Sequence, residues 1–184
     1  MGRWVSPELV STALQGDVAA VEHLVAAVWP GCFRLAASVL GDRSLAEDAA
    51  QEACAIVHRK VRSLRSADAF DSWLYRIVMR EAAKVRRRNV AFDDRVPERS
   101  VEVDGATSMD VWEALSALSP PLREVIVLFY FDDLKSHEIA EILRIPHATV
   151  RTRLAKARER LRDLLGDYAD ISISTEMEAK HYAV

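Results

Sequence analysis

The sequence is poor in the residues that break helices and in the patterns that build strands. It holds only six glycines and six prolines in 184 residues, and alternation of β-branched with polar residues is nearly missing. Half of the residues are hydrophobic, so a proper core is available, and helix formers dominate. Together these features exclude a strand-rich sandwich or barrel and argue an all-α fold. There are two cysteines, Cys32 and Cys54, too few for a disulfide framework. Both sit inside apolar helical patterns, where buried free thiols of a reducing compartment are expected. His23, His58, His137, His147 and His181 are scattered, so no metal site is expected. No glycine-rich phosphate loop and no nucleophile–base pair is visible, which points away from an enzyme, from catalytic residues and from a cofactor. The N-terminus lacks a basic segment followed by an apolar one, and no apolar run is read as approaching membrane length. A soluble cytoplasmic protein without a membrane partner is the expectation.

The net charge is only −3 and the pI about 6.0, so bulk charge does not advertise nucleic acid. The charge is segregated, however. Basic segments lie at Lys84–Arg88 and Arg144–Arg162, and acidic ones at Glu47–Glu52, at Asp93–Asp104 and in the tail. Local patches govern contact with phosphates more than the total does.

Along the chain, Ser6-Pro7-Glu8 starts a short helix reaching about Leu14. Gly16-Asp17 breaks it and caps a second, whose buried stripe is Val18, Val21, Leu24, Val25 and Val28. Pro30-Gly31 is expected to kink or interrupt that helix before it resumes to Leu40, with Gly41 as its cap. Ser44-Leu45-Ala46-Glu47 reads as a capping box for a helix to about Leu64, burying Leu45, Ala49, Ala53, Ile56 and Val57. Its opposite face carries Asp48, Gln51 and Glu52. A polar loop spans Arg62 to Asp68. The next helix, Phe70 to Arg88, turns Phe70, Trp73, Leu74, Ile77 and Val78 inward and ends in basic residues. Periodicity is lost from about Asn89 to Ser108, which reads as a flexible linker between two small domains. It returns with Val111, Trp112, Leu115 and Leu118, and Ser119-Pro120 opens a very apolar helix, Leu122 to Phe131. The expected boundaries are a first domain at 1–90, a linker at 91–108, a second domain at 109–166 and a poorly ordered tail at 167–184.

The stretch Ser136 to Leu165, SHEIAEILRIPHATVRTRLAKARERLRDLL, is the most telling. It predicts a short helix capped by Ser136 with Ile139, Ala140 and Leu143 inward, a turn through Arg144, Ile145 and Pro146, and a longer helix. In the latter, Val150, Leu154, Ala157, Leu161 and Leu164 form one apolar stripe. Arg151, Thr152, Ala155 and Lys156 lie opposite, flanked by Arg153 and Arg160. An apolar back, an arginine-rich front and a bracing helix before it is how a helix-turn-helix enters the major groove.

The order of these motifs resembles the extracytoplasmic-function (ECF) sigma factors, the minimal form of the sigma-70 family of bacterial RNA polymerase. LAEDAAQEAC at 45–54 resembles region 2.2 and AFDSWLYRIVMREAAKVRRR at 69–88 regions 2.3 and 2.4. ALSALSPPLREVIVLFYFDDLKSHEIAEIL at 114–143 resembles the start of region 4, and IPHATVRTRLAKARERL at 145–161 its recognition helix. The likeness implies a factor that binds core polymerase, through the β′ clamp and β flap, and directs it to promoter DNA.

Asp48, Gln51 and Glu52 would then dock on a basic coiled coil of the clamp. For the −10 element the candidates are Arg65, Ser66 and Asp68 in the loop, Tyr75, Arg76 and Arg80, and the phosphate-facing Lys84, Arg86, Arg87 and Arg88. Trp73 shares a face with Phe70 and Ile77 and is read as core. For the −35 element the candidates are Arg151, Thr152, Ala155 and Lys156 on the bases, and Thr149 and Arg153 on phosphates. The chain departs from the family pattern at Arg80, where Asn is frequent, at Ala148, where Gly is frequent, and at Ala155, where a bulkier residue is frequent. Inherited promoter preferences are unsafe at these points. The family often works with an anti-sigma factor held between its two domains, which the linker would permit. The competing reading is a stand-alone helix-turn-helix regulator with a sensing or dimerising N-terminal domain. The acidic face and the basic helix end argue against it.

Overall fold

The computed structural model describes residues 4–90 and 113–165, so the linker and tail expectations lie outside the described residues. Every described element is helical. Helix α1 spans Pro7–Leu14, α2 Val18–Leu40, α3 Arg43–Lys60 and α4 Phe70–Val90. The described part of α5 is 113–117. Then come α6, Pro120–Ile126, which runs on as a π turn, Val127–Phe131, then α7, Ser136–Leu143, and α8, His147–Leu165.

The helix starts follow local chemistry. Ser6 Oγ accepts from the Leu9 N–H at 3.3 Å and Asp17 Oδ1 from the Ala20 N–H at 2.7 Å, each satisfying a donor with no partner inside its helix. Two start signals differ from expectation. The cap of α3 is Asp42, whose carboxylate accepts from the Leu45 N–H at 2.9 Å. Glu47 closes no box there and pairs with Arg43 at 3.2 Å instead. Helix α7 begins at Ser136 itself, and Glu138 reaches back to accept from the Lys135 N–H at 2.8 Å. Gly41 ends α2 at φ 70°, the left-handed conformation a glycine adopts without a Cβ penalty.

Pro30 does not interrupt α2. The helix passes through it as one 23-residue element, because proline removes one hydrogen bond while Val28, Cys32 and Leu35 on either side are fully packed. Gly31 has a specific reason to lack a side chain: a Cβ there would stand 2.6 Å from the Trp4 ring. By length and composition α2 is apolar enough to cross a membrane, contrary to the reading that no run approaches that length. Its apolarity is that of a core helix packed against α1, α3 and α4.

The first core is built where α2, α3 and α4 meet. Small residues (Ala36, Ala46, Ala49, Ala50 and Ala53) let the backbones approach, and Leu24, Phe70, Leu74 and Val78 fill the space. Val18 lies outside the stripe assigned to it, 61 % exposed, and Ala20 takes its place inside. Cys32 and Cys54 are free and buried. Cys32 donates toward Cys54, which with burial pushes its thiol pKa above the ordinary value.

In the second half α6 and α7 pack on α8. Val150, Leu154, Ala157 and Leu161 are buried, whereas Leu164 is 49 % exposed and falls off the stripe. On α7 the buried pair is Ile139 and Ile142, with Ala140 and Leu143 at the margin. The turn into α8 is made by Arg144 at φ 54°, ψ 47°, a left-handed conformation that costs a non-glycine residue roughly 1–2 kcal/mol. Arg158 fastens α8 to the π turn: its Nε donates to the Tyr130 hydroxyl at 3.1 Å and its guanidinium lies 5.4 Å from the Phe129 ring centre. The two halves also touch each other, α4 against α7 and α2 against α6.

Candidate nucleic-acid and partner interfaces

The acidic face of α3 is open. Asp48, Gln51 and Glu52 are all exposed, and their spacing puts them one turn apart on one side of the helix. They line a shallow depression of about 370 Å³ with Leu45 and, across from α3, Val85, Arg88 and Asn89 of α4. Arg88, assigned from sequence to promoter phosphates, therefore stands beside the acidic patch.

The α4 surface is more structured than its sequence indicates. Arg65, Ser66 and Asp68 are exposed at its approach. Between Lys60 and Phe70 the chain forms two 3₁₀ turns, Val61–Ser63 and Ala67–Ala69, with Leu64, Arg65 and Ser66 linking them, and Ser66 Oγ accepts from the Asp68 N–H at 3.2 Å. Further along, Glu81 is only 4 % exposed and was not singled out in the sequence. Arg80 donates to it at 3.0 Å and Lys84 at 2.9 Å. Burial works against its charge, but the bonds from Lys84 and Arg80 outweigh that and hold its pKa below the usual carboxylate value. Glu81 thus orients two of the cations assigned to the −10 element. Arg76 and Arg86 are half-buried and Arg87 is exposed. Trp73, read as core, is only partly buried; it packs 5.9 Å from Phe70 and lines a groove facing α7.

Tyr75 is the one candidate the structure takes off the surface. It is 2 % exposed, its ring meets Trp4 edge-on at 4.9 Å, and its hydroxyl donates to Asp132 at 3.2 Å. In this arrangement it cannot stack on a base. Burial, with Asp132 and Asp71 nearby, pushes its pKa above the ordinary tyrosine value. Asp132 is likewise raised by burial, to about 6, against the opposing effects of Tyr75 and Arg34.

On α8, Arg151, Thr152, Ala155 and Lys156 are exposed together, and Thr149 and Arg153 sit half-buried at the margins. The sequence reading of that front is reproduced. One detail sharpens it: Thr152 Oγ1 donates to the Ala148 carbonyl at 2.9 Å. Its hydrogen is committed to the helix, so outward it presents a methyl group and acceptor lone pairs. Missed from sequence were Arg123, Glu124, Asp132 and Trp4. Each has a partner tens of residues away (Val39 for Arg123, Arg86 for Glu124, Tyr75 for Asp132 and Trp4), and only the apolar context of Arg123 hinted at burial.

Among the described residues no group of three or more His, Cys, Asp or Glu side chains is placed to hold a metal ion. What the surfaces combine is an acidic helix face, a basic helix with a capping turn ahead of it, and a helix-turn-helix whose arginine-bearing front is open. Residues 13–91 match the family described as Sigma-70 region 2, and residues 108–161 that described as Sigma-70, region 4. The chain is 31 % identical over 187 residues to the ECF RNA polymerase sigma factor SigE of Mycolicibacterium smegmatis, covering 90 % of this chain and 72 % of that one. It is 31 % identical over 174 residues to SigW of Bacillus subtilis, covering 83 % and 92 %. Among solved structures it resembles the sigma factor RpoE in complex with the anti-sigma factor NepR from Bartonella quintana. That match has a TM-score of 0.67 and 27 % identity, covering 79 % of this chain and 96 % of that one. CnrH in complex with the cytosolic domain of CnrY shares the fold, with a TM-score of 0.65 and 24 % identity over 86 % of this chain and 96 % of that one. A two-part, all-helical promoter-recognition factor is the class these surfaces define. The chain belongs to the ECF sigma factors of the sigma-70 family, which direct RNA polymerase to initiate at specific promoters.

Proposed function

We propose that the individual surfaces divide this work as follows. Asp48, Gln51 and Glu52 dock on a basic surface of core polymerase. The segment bearing Arg65, Ser66 and Asp68, with Arg76, Arg80, Lys84, Arg86 and Arg87, engages the −10 element. Arg88 is shared between the −10 phosphates and the rim of the docking depression. Arg151, Thr152, Ala155 and Lys156 read the −35 element, with Thr149 and Arg153 on its phosphates. The two units, 1–90 and 109–166, are joined by 91–108. The protein acts in the cytoplasm and does no chemistry of its own. An anti-sigma protein is a fitting partner, since RpoE and CnrH were each solved with one.

The observation that supports this most is the pairing of two open faces: acidic on α3 and basic on α8, each backed by a buried stripe. A stand-alone regulator would need the second face without the first. Run-off transcription with purified core polymerase and a promoter library from the source genome tests the reading. Specific transcripts that depend on this chain are expected. Their absence, with core binding unaltered by reversal of Asp48 and Glu52, would overturn it.

A further inference from the structure

We propose that Glu81 is a positioning residue for −10 recognition: it aims Arg80 so that the free end of its guanidinium reads a guanine of the opened strand. The proposal rests on the assignment of Arg80 to the −10 element above and names the base that this side chain selects.

Three side chains of α4 carry the argument. Glu81 is 4 % exposed, and two cations share its carboxylate. Arg80 donates from Nε to Oε1 at 3.0 Å, and Lys84 donates from Nζ to Oε1 at 3.0 Å and to Oε2 at 2.9 Å. The cations themselves are open, their side chains 55 % and 42 % exposed. A buried carboxylate is costly unless it is well paired, and even then it adds little net stability. Adjacent residues on a helix do not face each other. Arg80 therefore folds back along the helix surface to reach Glu81, which restricts it to few orientations. Lys84 grips both oxygens and keeps the carboxylate from turning away. Without Glu81, Arg80 and Lys84 would be like charges one turn apart that repel.

The bond engages the Nε of Arg80, so both Nη groups remain to donate outward. Such a fork matches O6 and N7 of guanine, the commonest specific contact between protein and base. Asparagine, frequent at this position in the family, would suit adenine by the same rules. A phosphate fits Arg80 less well. Attraction to phosphate depends on charge, and Glu81 cancels part of it. Contact with a base edge depends on aim, which Glu81 supplies. Fixing the side chain before binding also removes an ordering cost that a free arginine would incur.

The holoenzyme, full chain with core polymerase, is used for the test. Non-template single strands randomised over the −10 element are selected for binding. The selected strand is then compared by fluorescence anisotropy with copies carrying adenine or 7-deazaguanine at each selected guanine. At one position adenine is expected to weaken binding about five-fold or more, and 7-deazaguanine, which lacks N7, to do so by less. Glu81→Gln should bring the guanine-to-adenine ratio within about two-fold, while affinity for the adenine strand holds or rises because a negative charge has left the surface. A purely structural role would weaken both strands alike. Arg80→Ala should abolish the preference, and Glu81→Gln should then change the ratio no further. Arg80→Lys keeps the charge without the fork and should lose the preference too. Arg87→Ala, which removes an exposed cation that Glu81 does not bond, should weaken both strands evenly. Circular dichroism checks the fold of each variant. Where Glu81→Gln does not fold, Glu81→Asp replaces it, since it keeps the charge but draws the carboxylate back. A preference kept by the folded Glu81 variant, or no selected guanine at all, overturns the proposal. A preference that survives Arg80→Ala defeats the assignment of Arg80 to the −10 element instead.

Discussion

Replacing Arg123 by Met should cost the protein far more than an ordinary surface arginine would. Methionine keeps most of the aliphatic stem and removes every donor. Four carbonyls lose a partner, three at the end of α5 and one at the end of α2. One hydrogen bond to a charged group is worth about 1.5–3 kcal/mol. The sum overstates the loss, because a half-buried guanidinium also carries a desolvation cost that the methionine escapes. That cost is visible in Arg123 itself: burial, then the neighbouring Arg86, lowers its pKa against the pull of Glu124. A net loss of about 3 kcal/mol is expected. In thermal unfolding followed by circular dichroism that corresponds to roughly 6–12 °C for a chain of this size. Arg123→Lys should recover little, since an ammonium cannot span carbonyls on two helices as a planar fork does. A loss under about 1 kcal/mol for the methionine variant, or full recovery by lysine, would refute the reasoning.

Three further outcomes are expected. Reversing Asp48 and Glu52 to Lys should weaken core-polymerase binding at least ten-fold in a pull-down or anisotropy titration, about 1.4 kcal/mol or more, with the circular dichroism spectrum unchanged. Arg151→Ala should relax base preference at one −35 position by about 1–3 kcal/mol, whereas Arg153→Ala should weaken binding evenly across sequences; a binding-site selection reads both. Folding stability should also depend on pH. Asp132 has its pKa raised by burial from 3.8 to about 6 beside Tyr75 and Arg34. A raised pKa favours the folded form when the acid is neutral, so that contribution is full below about 3.8 and lost as pH rises through about 6. Asp132→Asn should therefore gain thermal stability over the wild type at pH 7.5 and much less at pH 5, read by circular dichroism.

The parts of this molecule that were legible in its sequence are those decided within a turn or two of the chain. The α8 stripe and its opposite front depend only on helical spacing, so Arg151, Thr152, Ala155 and Lys156 were found in place. The Asp48–Glu52 face was legible for the same reason. Helix ends were less so, because rival caps lie a residue or two apart: Asp42 wins over Ser44 by bonding the Leu45 N–H. Periodicity also cannot tell where a core stops, which is why Val18 and Leu164 extend stripes that the fold leaves in water. Least legible was Tyr75. Its fate is set by Asp132, 57 residues away, and by Trp4 near the start of the chain. No local pattern carries that information.

The π turn at Val127–Phe131 has a consequence for how such chains can diverge. The Asp132 N–H bonds back to the Val127 carbonyl at 3.3 Å, five residues behind, so the helix absorbs one residue more than an α-helix would. Each residue turns an α-helix by about 100°. Deleting a single residue here would swing Asp132 away from Tyr75 and rotate α7 and α8 relative to α6, with no residue of the reading helix itself changed. The angle at which this protein carries its DNA-reading helix is thus written partly in a residue count, and a one-residue indel could re-aim it in a single step.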